Sequence, residues 1–202
     1  LRRDSSDSLV SSSGASLMSL RHGARIGTGS PRRAALLMLH RPDLDVVEIR
    51  GNVDTRIRKV DEGMYDAVVL ATAGLFRLGL EDRISEKLGV REFPPAPGQG
   101  ALAVQMRDED SELHRVVKSL DDPDARATSG AERAFLRGLG GGCTLPVGAH
   151  AWRESGQLKL LGFVGSNTGS LSLRAEVTGD DPEALGEKLA AQMLSDGAGE
   201  LL

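Results

Sequence analysis

Between residues 25 and 80 the sequence alternates short apolar runs with helix-type stretches, three of each. That alternation constrains the fold more than any other feature of the chain. Residues 25–29 (RIGTG) read as a strand ending in Gly. Ser30-Pro31 then opens a helix, with Ser as N-cap and Pro at the first helical position. It runs to His40 and stops at Arg41-Pro42. Residues 45–50 (DVVEIR) form the second strand, Gly51-Asn52 a turn, and Asp54 a cap for a helix over 55–62 that Gly63 ends. Residues 65–71 (YDAVVLA) read as a buried strand, after which Thr72 caps a short helix to Leu78, closed by Gly79. Strand followed by helix, repeated, predicts an α/β layer with a largely parallel sheet. In such a sheet, ligands bind beyond the carboxyl ends of strands, at helix N-termini.

The flanking sequence has a different rhythm. Residues 1–24 are Ser-rich and loop-like, with one short strand near residues 8–12. The stretch FPPAPGQGA, residues 93–101, is Pro/Gly-rich and reads as a hinge or domain crossing. A strand over 102–106 and a helix over 110–120 follow, then a break at 121–124 and a helix over 125–139. Gly140-Gly141-Gly142-Cys143 comes next. Strands at 146–153, 157–165 and 170–177 stand at hairpin spacing, and a helix covers 182–194. The tail is therefore an α+β module with an antiparallel sheet. Aromatic residues are only 3%, so both cores must be aliphatic. No apolar run approaches the length of a membrane span. A single cysteine excludes a disulfide framework and points to a reducing, cytosolic-type compartment.

Charge is unevenly placed. Residues 1–60 hold 11 Lys and Arg against 6 Asp and Glu, whereas residues 61–202 hold 14 against 23. Twenty of the 25 basic residues are Arg, whose planar fork grips carboxylate or phosphate in a bidentate way. Two strand-to-helix corners carry them. In GTGSPRR, residues 27–33, the free N–H groups of a helix start, the hydroxyls of Thr28 and Ser30, and the charges of Arg32 and Arg33 suit an anion. In IRGNVDTR, residues 49–56, Arg50 and Arg56 flank a turn; a cation at a helix N-terminus is disfavoured by the dipole unless an anion lies beside it. The plainer reading is two capped helices with solvated arginines, and for Arg77, on the third helix, a solvated role is the default. Cys143 follows three glycines, which make an accessible loop rather than a core position, so its thiol is a candidate nucleophile. His22, His40, His114 and His150 show no ligand spacing, so no metal site is expected. The net charge of −4 and the few aromatics disfavour nucleic-acid binding.

RIGTGSPRR, IRGNVDTRIRKVDEGMYDAVVLATAGLFRLGL, PPAPGQGALAVQMR and GGGCTLPVGAHA, in that order, resemble the porphobilinogen deaminase (hydroxymethylbilane synthase) family. The resemblance implies a periplasmic-binding-protein-like α/β domain with a mixed sheet, plus a small α+β C-terminal domain with an antiparallel sheet. Residues 1–96 would be the family's second domain, 97–121 a hinge and return segment to its first domain, and 122–202 the C-terminal domain. It also implies a transferase of haem biosynthesis, which condenses four porphobilinogens head to tail with loss of ammonia to give hydroxymethylbilane. A dipyrromethane cofactor would be held by a thioether to Cys143, with Thr28, Ser30, Arg32, Arg33, Arg50, Gly51 and Arg56 around it. Arg50, Arg56 and Arg77 would meet the carboxylates of the substrate, porphobilinogen. The intact protein would be a cytoplasmic monomer without nucleic-acid or membrane partners. In the family a further domain precedes the region matching residue 1 and carries the catalytic Asp. No catalytic residue is therefore assigned here, since Asp54 and Asp61 fall on other positions, and the fragment alone is expected to be inactive. A non-catalytic anion-binding module of the periplasmic-binding-protein type is the alternative; it explains the arginine corners and leaves GGGC unexplained. A structural or regulatory domain with a ligand-sensing sheet is a further rival.

Overall fold

The computed structural model describes residues 2–142, 145–166 and 168–202. The first unit is a five-stranded mixed sheet in the order β3-β2-β4-β1-β5. Its strands are β1 (Asp7–Ser11), β2 (Arg25–Gly27), β3 (Asp45–Val47), β4 (Ala67–Ala71) and β5 (Glu86–Leu88). Helices α1 (Pro31–His40), α2 (Val53–Asp61) and α3 (Thr72–Arg77) alternate with them. β2 runs parallel to β3 and β4, as the alternation predicts. β1 runs antiparallel to β4 and β5, which makes the sheet mixed. The three-residue β5 carries no run of apolar residues and escapes a reading by pattern.

Every residue of β1 is buried, because it is a central strand covered on both faces. Side chains alternate across a sheet. Leu9 joins Ile26, Leu36, Leu37 and Val69 in the core under α1, while Val10 joins Ile57, Val60, Val68 and Leu75 under α2 and α3. The same alternation sends Asp7 to the α1 face and Ser8 to the α3 face. Ser8 there shares the hydroxyl of Thr72 with Ser6, at 2.7 and 2.8 Å. Thr72 thus bonds across the sheet instead of capping its own helix, and Asn52, not Asp54, caps α2 by accepting from the Thr55 N–H.

The second unit is the antiparallel sheet β6 (Val147–Glu154), β7 (Gln157–Gly165) and β8 (Ser172–Gly179), covered by α5 (Pro123–Gly138) and α6 (Pro182–Ser195). Asp122 and Asp181 cap these two helices, each followed by Pro at the first helical position. A Cβ at Gly186 would lie 2.6 Å from the backbone nitrogen of Phe135, so Gly186 lets α6 cross α5 closely. On β7, Leu158, Leu160 and Val164 face α5 and α6, while Phe163 on the opposite face is buried with Leu36, Leu37 and Phe93 of the first unit.

Residues 101–107 run without regular structure, where the sequence pattern suggests a strand. α4 (Ser111–Lys118), capped by Asp110, follows and buries none of its residues.

Because Phe163 belongs to the core of the other unit, Phe163→Ala should loosen both. A loss of about 3–5 kcal/mol is expected for removing so large a buried ring, read as a lower urea midpoint in a single transition. Two separated transitions would show instead that the units unfold independently.

Candidate functional site

The first corner is built by the end of β2 and the start of α1. The Thr28 hydroxyl accepts from the Ser30 N–H at 3.2 Å, and the Ser30 hydroxyl accepts from the Arg33 N–H at 3.4 Å. Both hydroxyls therefore shape the first turn. Arg32 and Arg33 sit on that turn, where the helix dipole disfavours cations. The compensating charge is Asp7, on the adjoining face of β1. Its Oδ1 accepts from Arg33 Nη2 at 2.6 Å and Nε at 3.1 Å, and its Oδ2 lies 2.8 Å from Arg32 Nη1. Gln99 Nε2 donates to the same Oδ1 at 2.9 Å. Burial would raise the Asp7 carboxyl, but the charges of Arg32 and then Arg33 outweigh it and hold it at about 2.

The two arginines are not equivalent. Arg32 is buried, donates to the Pro94 carbonyl at 2.7 Å, and has an Nε with no hydrogen-bond partner among the described residues. Arg33 also donates to the Val69 carbonyl at 3.2 Å, and its side chain keeps an 11% exposed edge.

At the second corner Gly51 takes φ +124°, a conformation open to glycine, and a Cβ there would strike Thr55. Arg56 donates through Nε to the Gly51 carbonyl at 2.8 Å. Its two terminal nitrogens meet no acceptor among the described residues. Burial, and then the positive charge of Arg33, push the Arg56 guanidinium below its ordinary value. The two corners adjoin, the Thr28 N–H donating to the Val47 carbonyl at 2.9 Å. Arg50 is 86% exposed and pairs with Glu48 at 2.8 Å. Arg77 donates to the Gly100 carbonyl at 2.9 Å, on the loop after Pro95.

The structure therefore brings Thr28, Ser30, Arg33, Gly51 and Arg56 to one edge of the sheet. Arg32 is buried against Asp7, Arg50 is paired with Glu48, and Arg77 is bonded to the loop at Gly100. Cys143 is outside the described residues; the glycines leading to it follow directly on α5. No group of three or more His, Cys, Asp or Glu among the described residues could hold a metal ion. Likewise, no helix among them is long and apolar enough to cross a membrane. Asp7 and Gln99 were not visible as site residues from motif alone. For Asp7 the available signal was a charged residue two positions ahead of Leu9-Val10, at the start of a short apolar run.

Two family models match. One, described as porphobilinogen deaminase, dipyromethane cofactor binding domain, covers residues 1–115. The other, porphobilinogen deaminase, C-terminal domain, covers residues 127–195. The chain belongs to the porphobilinogen deaminase family. Porphobilinogen deaminase of Roseiflexus castenholzii is 50% identical over 203 residues, covering 100% of this chain and 67% of the relative. That of Desulforudis audaxviator is 48% identical, covering 97% of the chain and 64% of the relative. That of Xanthomonas axonopodis pv. citri is 48% identical, covering 100% and 67%. The chain spans about two thirds of the length of these relatives. Membership in this family accords with the mixed sheet and the separate antiparallel sheet, and it makes the chain a member of a transferase family whose first model describes dipyrromethane binding.

The Asp7 carboxylate has a stability consequence with a definite sign. Its value is lowered on folding from 3.8 to about 2. Its contribution is therefore complete above the unfolded value and is lost as pH falls through the folded one. Melting temperature should fall between about pH 4 and pH 2. In Asp7→Asn this step should vanish, and the neutral-pH stability should drop by about 3–5 kcal/mol, because two buried guanidinium groups lose their partner. Thermal scans across that pH range check both expectations.

Proposed function

We propose that this chain is the cofactor- and substrate-carboxylate-binding part of a porphobilinogen deaminase, acting in the cytoplasm as a monomer. The activity is the stepwise condensation of porphobilinogens to hydroxymethylbilane. The observation that carries this reading is the Arg33–Arg56 pair at the mouth of two strand-to-helix corners. Each pyrrole of such a chain bears two carboxylates, and forked guanidinium donors hold carboxylates without needing to gain a proton. The donor set fits a dipyrromethane: Arg33 and Arg56 would take its carboxylates, Gly51 leaves room for close approach, and Cys143 would carry the thioether. When bound, that group supplies the pyrrole carbon from which the chain grows. Arg50 and Arg77 stand where further carboxylates of an elongating product would pass. Membership in the family disfavours the non-catalytic anion-binding module.

We further assign residues 1–96 to the family's second domain, 97–121 to a hinge and return segment, and 122–202 to the C-terminal domain. Residues 101–120 support this. Leu102 and Leu120 are 77% and 68% exposed, and with Val104, Met106, His114 and Val117 they line a groove of about 460 Å³. So large an apolar face marks a contact surface, and we read it as the seat of the first domain present in the longer relatives.

Intact mass of the purified chain, beside Cys143→Ser and Arg56→Gln, tests the reading. An added mass of two linked pyrrole units is expected on the chain and absent from Cys143→Ser. Arg56→Gln should retain it less well, because charge-assisted bonds of about 1.5–3 kcal/mol are lost. An adduct that persists in Cys143→Ser would overturn the assignment.

A further inference from the structure

The carboxylate of Asp7 is fully buried, and its partners are residues of the first corner and of the loop after Pro95. It holds two N–H groups of Arg33 and stands against Arg32, while Gln99 ties it to the loop after Pro95. Gln99 Nε2 also donates to the Ser5 and Ser6 carbonyls, at 2.7 and 3.1 Å. Its Oε1 lies 3.5 Å from Arg33 Nη2. With the Val69 carbonyl on Nη1, Arg33 is left with a single N–H at Nη1 that has no partner among the described residues. Arg56, by contrast, is held only through Nε.

The two corners adjoin, with the Thr28 N–H donating to the Val47 carbonyl at 2.9 Å, so Arg33 and Arg56 stand on neighbouring helix starts. Without a restraint, a long arginine side chain would turn away from a neighbouring cation toward water. We propose that Asp7 is a positioning residue: it fixes Arg33 through two N–H groups, so that the guanidinium holds its remaining Nη1 N–H ready for a ligand carboxylate. Arg32, with Nη1 2.8 Å from the same carboxylate, is the second cation against Asp7. The inference rests on the carboxylate-binding reading given above.

Its force lies in the sign of the effect. If Asp7 acted on the ligand only through its charge, it would repel an anion, and removing it would tighten binding. If it acts by fixing Arg33, removing it weakens binding although the site becomes more positive.

The test is a calorimetric titration with 1,2,4,5-benzenetetracarboxylate at neutral pH and low salt, on the chain in a Cys143→Ser background, where no dipyrromethane is attached and which counts as wild type at positions 7 and 56. Asp7→Asn, Asp7→Glu and Arg56→Gln are titrated in parallel, at a temperature where each is folded. Nitrogen-15 spectra of the arginine Nε–H groups accompany the titration. Asp7→Asn is expected to bind roughly tenfold more weakly, the loss of about one charge-assisted bond. Asp7→Glu keeps the charge and moves the carboxylate by one methylene. It guards against a failure of the Asn variant to fold, and is expected to bind several-fold more weakly. In both, the Arg33 Nε–H signal should move from its carboxylate-bonded position, a change that simple loss of stability would not produce. Tighter binding by Asp7→Asn, or wild-type affinity in Asp7→Glu, would overturn the positioning role while leaving the anion site intact. No binding by the wild-type chain would instead remove the carboxylate-binding reading, and this inference with it.

Discussion

A carboxylate at the centre of a sheet is costly unless cations and donors surround it. Asp7 occupies such a place, and the neighbourhood is arranged around it. Strand alternation points it at the α1 face. The N-terminus of α1 then lies against it, and two arginines on the first helical turn supply the cations. Each partner alone is unfavourable. Arg32 and Arg33 oppose the dipole of their own helix, and Asp7 opposes its apolar strand. Together they cancel, and the residual positive charge is directed to the sheet edge where Arg56 stands. The buried pair is therefore a device of orientation more than a source of net stability.

The same network continues into the second unit. The Gln99 carbonyl accepts from Arg2 Nε at 2.9 Å, and the Arg2 guanidinium pairs with Glu132 of α5 through two bonds of 2.8 Å. Glu132 also accepts from the backbone N–H groups of Gly98 and Ala151. Burial raises its carboxyl despite these donors and the charge of Arg2. The loop from Phe93 to Gly100 is thus stitched on one side to the anion site and on the other to α5 and β6. The Ala149 N–H, bonded to the Pro95 carbonyl at 2.8 Å, adds a further stitch. This Pro/Gly-rich stretch is held on both sides where it passes between the two units. Its glycines at positive φ, Gly98 and Gly100, shape the turn rather than loosen it.

What was legible in the sequence follows from range of interaction. Caps and stops are local, so Ser30-Pro31, Arg41-Pro42 and Asp110 mark their helices to within a residue or two. The corners at Thr28–Arg33 and Gly51–Arg56 were readable for the same reason. Long-range pairing was not. Nothing near residue 7 announces that its strand inserts antiparallel between β4 and β5, and so nothing announces that its Asp would meet Arg33. Thr72 looked like a cap because its neighbours are helical, whereas its hydroxyl is claimed by Ser6 and Ser8, more than sixty residues away in sequence. The family resemblance carried the set Arg32, Arg33, Arg50, Arg56 and Arg77, but it did not divide them. Burial and partner geometry do so, separating a buried Arg32 from an Arg33–Arg56 pair.

The segment after Gly100 makes the complementary point. Leu102, Val104 and Met106 alternate with smaller or polar residues, and this is the pattern of a half-buried strand. A strand, however, is a property of two segments, since its N–H and C=O groups need a neighbour at ladder distance. Among the described residues no strand adjoins residues 101–107, so the segment forms no ladder and leaves Leu102 and Val104 exposed. α4, capped and amphipathic, lines the same groove with His114, Val117 and Lys118. Both elements carry the sequence of parts built to be covered. Local propensity alone forms the helix, whose hydrogen bonds are internal, and fails to form the strand, whose hydrogen bonds are not.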